Sequence, residues 1–327
     1  IFSDDAASES MEWVMATDNK LSSVPTHKLP KLRKGAWAGN RLREYPDISG
    51  CPNLELHRIS ANLFSESPPD EYLNHPKLSW YGDAGNPFCE QVTSRGMSLE
   101  KFSLSDFDMG GRISDSPASE VWIAKSKKTG EEFAIKLYKG EVISDGYPSD
   151  DMEAYASSGN HPNLLKVRGK IPPGGNNNEG LVLTLLGSNY APLAMPPNFD
   201  TCTRDTYQNG QTFSLQFIYE SLKGIASAAG HLHELGISHG DLYGHNILGN
   251  SFGHVFLSDF GAASFYDSKP GHIRERLDVR AFGCLMDDML TRCQEKESKL
   301  HQLRTTCMSD DPYERPLFKE ISHILAS

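Results

Sequence analysis

His239-Gly240-Asp241-Leu242-Tyr243-Gly244-His245-Asn246, followed a few residues later by Val255-Phe256-Leu257 and Ser258-Asp259-Phe260-Gly261, is the stretch on which the reading of this 327-residue chain turns. It sets two carboxylates and an amide, Asp241, Asn246 and Asp259, at spacings of five and thirteen residues around a short apolar run that reads as a strand. Just upstream, Phe213, Phe217, Leu222, Ile225, Ala229 and Leu232 recur at helical spacing and predict a long packed helix over 213–235. With 38% hydrophobic and 23% charged residues the chain has ordinary globular composition, which excludes collagen-like, disordered and disulfide-scaffold classes. A net charge of −11 argues against a broad nucleic-acid or anionic-membrane surface. No apolar run approaches the ~18 residues of a membrane span. The six cysteines are scattered without metal-site spacing, so reduced thiols in a cytoplasmic setting are expected. The chain opens on Ile1, as a fragment or processed form would.

The quoted stretch resembles the protein kinase family: Asp241 and Asn246 fit its catalytic-loop pattern H-R-D-x-x-x-x-N, and Asp259 fits the D-F-G metal ligand. Upstream, Phe133-Ala134-Ile135-Lys136-Leu137 reads as a strand after Val121-Trp122-Ile123-Ala124 and a turn at Lys128-Thr129-Gly130, and Ala134-Ile135-Lys136 resembles the family's V-A-I-K. The resemblance implies that Lys136 neutralises phosphates of ATP. It expects a helix Glu as partner, for which Glu153 is chosen, with Asp150 and Asp151 nearby. It further implies a nucleotide site lined by Ser114, Ser116, Ser119, Val121, Leu183 and Leu185, metal ligands Asn246 and Asp259 for Mg²⁺ (Mn²⁺ as substitute), and Asp241 orienting the acceptor hydroxyl. Downstream, Asp278-Val279-Arg280-Ala281-Phe282-Gly283 resembles the start of the large lobe's central helix, and Arg315 the family's structural arginine.

Four departures bear on activity. The three glycine positions of the phosphate loop are Ser114, Ser116 and Ser119, and Pro117 removes an N–H there. Gly240 replaces the arginine that receives an activation-loop phosphate. Only 19 residues run from Asp259 to Asp278, without an A-P-E tripeptide; Glu275 is the nearest substitute for its Glu and is expected to pair with Arg315. Activity is therefore expected not to be switched by activation-loop phosphorylation, and the usual platform for a peptide substrate is missing. Finally, Tyr243 replaces the catalytic-loop lysine, and His245 is the expected substitute cation. His-Gly-Asp also resembles small-molecule kinases of the aminoglycoside-phosphotransferase type.

In the first quarter, Asn19, Asn40, Asn62 and Asn86 recur at spacings of 21, 22 and 24, with Leu21, Leu42, Phe64 and Phe88 two residues after each. Pro25, Pro46 and Pro68 keep phase. This resembles the leucine-rich repeat, with irregularities at Gly35, His57, Tyr81 and Asp83 and a cap expected from Ser3-Asp4-Asp5.

The fold expected is α+β: a leucine-rich-repeat module over 1–95 packed rigidly on a two-lobed, protein-kinase-like domain over 96–327, the small lobe about 99–187 and the large lobe about 188–327. The function expected is an ATP- and Mg²⁺-dependent serine/threonine-type protein kinase whose repeats offer a concave surface to a protein substrate or partner. The alternatives are a pseudokinase or nucleotide-binding scaffold and a small-molecule kinase.

Overall fold

The computed structural model describes residues 10–91, 99–174, 178–267 and 271–327; the cap expected from Ser3-Asp4-Asp5 lies outside them. Four three-residue strands, β1 (Trp13–Met15), β2 (Lys34–Ala36), β3 (Leu56–Arg58) and β4 (Trp80–Gly82), pair in parallel and in sequence order. Trp13 lies opposite Lys34, Lys34 opposite Leu56 and Leu56 opposite Trp80, so one strand is added per 21, 22 and 24 residues. A short helix α1 (Asp70–Leu73) lies in the last coil before β4.

The recurring asparagines stitch the coils together. Buried Asn62 donates to the carbonyls of Trp37 in the preceding coil (3.0 Å) and Ile59 in its own (3.0 Å), while its Oδ1 accepts from Leu42 N–H (3.1 Å). Asn40 does the same with Ala16, Trp37 and Leu21, and Asn86 with Ile59, Asp83 and Phe64. A polar residue recurs among apolar ones because each coil leaves backbone groups that no sheet ladder satisfies. Between the ladders, Leu32, Trp37, Leu42, Leu54, Ile59, Phe64 and Leu78 form a continuous core. Asn62→Ala should therefore cost about 2–4 kcal/mol in urea unfolding, since it orphans several buried backbone groups at once.

Residues from 99 onward make two lobes. The first holds an antiparallel sheet of β5 (Phe107–Asp115), β6 (Ser119–Ser126), β7 (Glu132–Tyr138), helix α2 (Pro148–Ser157), β8 (Val167–Ile171) and β9 (Gly180–Thr184), in strand order β5-β6-β7-β9-β8. The second begins with β10 (Ala191–Pro192) and α3 (Leu215–Glu234), whose N-cap Ser214 accepts from Phe217 N–H. It continues through β11 (Ile237–Ser238), β12 (Ile247–Gly249), β13 (Val255–Leu257) and β14 (Ser264–Phe265) to α4 (Ile273–Leu290), α5 (Ser298–Cys307) and α6 (Phe318–Ala326). Helix α4 starts five residues before Asp278, capped by the His272 side chain, so Asp278 is an interior helix residue.

The solenoid packs mainly on the second lobe rather than the first. Ile273 and Leu277 of α4 enter the solenoid core, while Leu56 and Trp80 enter the core of the lobes. Arg274 makes a bidentate pair with Asp83 (2.9 and 2.6 Å), both fully buried. Arg280 donates to Ser79 Oγ (2.8 Å) and, with Arg315, to the carbonyl of Pro76 (3.1 and 2.9 Å). The expected Glu275–Arg315 pair is thereby corrected: Arg315 is engaged by carbonyls, and Glu275 accepts from Phe318 N–H (2.9 Å). On the strand surface expected to face a partner, Leu56, Arg58, Trp80 and Gly82 of β3 and β4 are buried, Arg58 and Trp80 against the loop that holds Asp241 and Leu242, while Met15 of β1 is exposed.

Candidate active site

The site lies between the two lobes and is closed on a third side by the solenoid. Lys136 stands on β7, with its side chain 8% exposed, and donates to Asp151 Oδ2 (2.6 Å) and Asp259 Oδ1 (3.1 Å). Burial alone would strip its proton, but the two carboxylates overcompensate and hold Lys136 charged well above the ordinary lysine range. Its partner is therefore Asp151, not Glu153. Successive helix residues turn by about 100°, so positions 151 and 153 project on opposite sides of α2. Asp151, Ala154 and Tyr155 are buried, while Glu153 is partly exposed. Tyr155, four residues after Asp151, accepts the Asp259 N–H on its hydroxyl (2.9 Å), and Tyr138 donates to Asp151 Oδ2 (2.7 Å). The 151/154/155/158 spacing carried this phase in the sequence. Asp151→Asn should lower turnover about 10²-fold by releasing Lys136, and Glu153→Gln should leave it within about twofold; steady-state assays of both variants check this.

Asp241 and Asn246 lie in the loop between β11 and β12, where Asn246 Nδ2 donates to the Asp241 carbonyl (2.9 Å) and to its Oδ2 (2.7 Å). Below them, buried Asp278 accepts from the backbone N–H groups of His239 (2.7 Å) and Gly240 (3.0 Å) and binds His233 Nε2 (2.9 Å). Burial works against its charge, but these contacts hold it below the usual carboxylate range. His239 reaches the Ser258 carbonyl (3.2 Å), tying the loop to the Asp259 strand end. Asp259 itself has φ +62°, a left-handed conformation uncommon outside glycine. Its hydrogen bonds from Lys136 and Gly261 N–H both fall on Oδ1, and its side chain is 49% exposed toward the cleft.

Three residues of the loop sit differently from expectation. His245 turns to Asp205 (Nδ1 to Oδ1, 2.6 Å); burial works against its charge, but Asp205 outweighs it and raises the His245 pKa, and the pair anchors the ring to the second lobe. Tyr243 stacks on Trp80 of the solenoid (ring centroids 4.3 Å, 7° between planes). Gly240 has φ +69°, and a Cβ there would lie 2.6 Å from the Ala262 carbonyl and closer still to that of Tyr81 in the solenoid. Its arginine is thus excluded sterically.

The β5–β6 turn is closed by Ser116, whose Oγ accepts from Ser119 N–H (3.1 Å) while its own N–H donates to the Ser119 carbonyl (2.9 Å). Ser114 is exposed and Ser119 buried, so Ser116 is already committed within the turn and Ser119 is enclosed. Val121 and Leu185 are half-buried, and Leu183 is buried opposite Ala134. A last member comes from the solenoid and escaped the sequence reading: Arg58 pairs with Asp241 Oδ1 and, through Nε, with Asp145 (2.7 Å).

Residues 113–282 match the protein kinase domain family. The chain belongs to the protein kinase family. It is 27% identical over 176 residues to cyclin-dependent kinase 11.1 of Caenorhabditis elegans, covering 50% of this chain and 22% of that protein. It is 28% identical over 251 residues to cyclin-dependent kinase 11B of Rattus norvegicus (74% and 52%). Over 168 residues it is 27% identical to serine/threonine-protein kinase PITSLRE of Drosophila melanogaster (51% and 17%). The match to the C. elegans kinase spans about a fifth of that protein's length. Use of ATP and a divalent cation is a general property of this family, and in this kinase the hard oxygen donors of Asp259 and Asn246 fit such a cation. Among the described residues no helix is long and apolar enough to cross a membrane.

Proposed function

We propose that this kinase is an ATP- and Mg²⁺-dependent phosphotransferase of the serine/threonine protein kinase type, with a leucine-rich-repeat module built onto its catalytic loop. The observation that carries the reading is the convergence of Lys136, Asp151 and Asp259 with Asp241 and Asn246 in one cleft. Lys136, held by Asp151, orients the phosphates of ATP; Asp241 orients the acceptor hydroxyl and takes up its proton; Val121, Leu183 and Leu185 line the base side. Asp259 and Asn246 would hold Mg²⁺, which when bound offsets the charge that develops on the phosphates. The parallel strand per repeat and the Asn ladder support the leucine-rich-repeat assignment of the N-terminal module.

The solenoid also stands where the shortened Asp259–Asp278 interval leaves the catalytic loop uncovered, with Trp80 donating to the Leu242 carbonyl (3.3 Å). A protein acceptor would meet the joint edge of solenoid and second lobe. Gly240 is accounted for by the carbonyls of Tyr81 and Ala262, which removes the main motive for a small-molecule-kinase reading. A pseudokinase is the second reading, favoured by Ser116 being spent within the β5–β6 turn. Transfer of labelled γ-phosphate from Mg·ATP to a generic protein acceptor, by the wild type and by Lys136→Ala, separates the two. Label only with the wild type is the expected result. Nucleotide-dependent melting with no transfer by either would replace the enzyme with a scaffold.

A further inference from the structure

Within the loop, Tyr243 is turned under Trp80 and His245 hydrogen-bonds Asp205, so neither side chain pairs with Asp241. A cation nevertheless reaches Asp241, from a strand 183 residues away in sequence. Arg58 is 2% exposed, and its guanidinium is fixed from two sides: Nη2 on Asp241 Oδ1 and Nε on Asp145 Oδ1, itself next to Ser144, whose hydroxyl donates to Asp145 Oδ2 (2.7 Å). With Asn246 on Asp241 Oδ2 (2.7 Å), both oxygens of the carboxylate are oriented. Arg58 Nη1 is buried and has no hydrogen-bond partner among the described residues. The grip of Arg58 and Asn246 on separate oxygens fixes the plane of the Asp241 carboxylate.

We infer that Arg58 of the solenoid is a positioning residue of the phosphotransfer site: it orients the Asp241 carboxylate and supplies, from outside the kinase lobes, the positive charge missing at Tyr243. The solenoid and the lobes are then one catalytic unit, and a chain without the repeats has an incomplete site. This rests on the phosphotransfer reading given above. Asp241 is ringed by Arg58 and Lys34 from the solenoid and by Asp145 from the loop before α2. His239, His245 and Asp259 face it from the second lobe.

The test is kcat and KM for Mg·ATP in the full chain, comparing wild type, Arg58→Gln, Arg58→Lys and the control Lys77→Ala. The control breaks an exposed pair with Asp310 at the same interface. Arg58→Gln should lower kcat about 10²-fold and leave KM for ATP within about threefold. Arg58→Lys should restore part of kcat, and Lys77→Ala should match the wild type. If Arg58→Gln does not fold, Arg58→Lys decides alone, and an unchanged kcat overturns the proposal. So does an unchanged kcat in Arg58→Gln, a loss confined to KM, a rise in kcat that would mark Arg58 as a brake, or an equal loss in Lys77→Ala. A wild type that transfers no phosphate takes down the phosphotransfer reading and this proposal together, whereas an active wild type with an indifferent Arg58→Gln removes this proposal alone.

Discussion

Asp241→Asn should slow phosphoryl transfer by about 10²–10⁴-fold, the range expected when a positioned proton acceptor is removed. The substitution keeps the shape of the side chain, but its single amide oxygen can accept from only one of Asn246 and Arg58. What it removes is the charge that draws the acceptor's proton. It also leaves Arg58 with Asp145 as its remaining carboxylate, so a modest loss of stability accompanies the kinetic effect. Single-turnover measurements at saturating Mg·ATP, well below the melting temperature of the variant, separate the two: the deficit should appear in the transfer step and not in nucleotide affinity. A variant with near wild-type turnover would move the proton acceptor elsewhere.

Gly240→Ala should cost about 2–5 kcal/mol of unfolding free energy, from a left-handed backbone carrying a β-carbon and from overpacking against two carbonyls. One of these carbonyls, Tyr81 O, belongs to solenoid strand β4, and the other, Ala262 O, follows the Asp259-Phe260-Gly261 turn. Relief of the clash requires the solenoid to back away, which would also disturb the Trp80–Tyr243 stack and the Arg58–Asp241 pair. Activity should thus fall together with stability. Calorimetry that finds Gly240→Ala as stable as the wild type would show that this close approach is not required. The arginine usual in the family at this position would be worse tolerated than alanine, so restoring the family motif should impair the protein.

What could be read in the sequence was what is local or periodic. Asp241, Asn246 and Asp259 lie within nineteen residues, so their grouping needed no knowledge of the tertiary fold. The Asn repeat was legible because each asparagine serves the same backbone groups one coil away, which forces a fixed period on the chain. The choice between Asp151 and Glu153 depended on helix phase. Counting back from the His161-Pro162 turn did not fix that phase, whereas the burial of Asp151, Ala154 and Tyr155 does. Arg58 was invisible for a different reason: a charge pair across 183 residues leaves no mark on its neighbours in sequence. Tyr243 and Arg315 were likewise assigned by what they replace or resemble, while their positions are set by Trp80 and by the carbonyls of Ser309, Arg276 and Pro76. The departures at Gly240 and Tyr243 and the shortened interval after Asp259 all lie where the solenoid meets or approaches the catalytic loop.

The central claim, that these residues form a working phosphotransfer site, is tested most directly by following Mg²⁺-dependent transfer of labelled γ-phosphate by the intact chain beside Asp241→Asn under identical conditions. The account predicts label accumulating on an acceptor with the wild type and a rate at least about 10²-fold lower with the variant. Equal rates in the two proteins, or no transfer by a wild type that still melts higher with Mg·ATP, would contradict it.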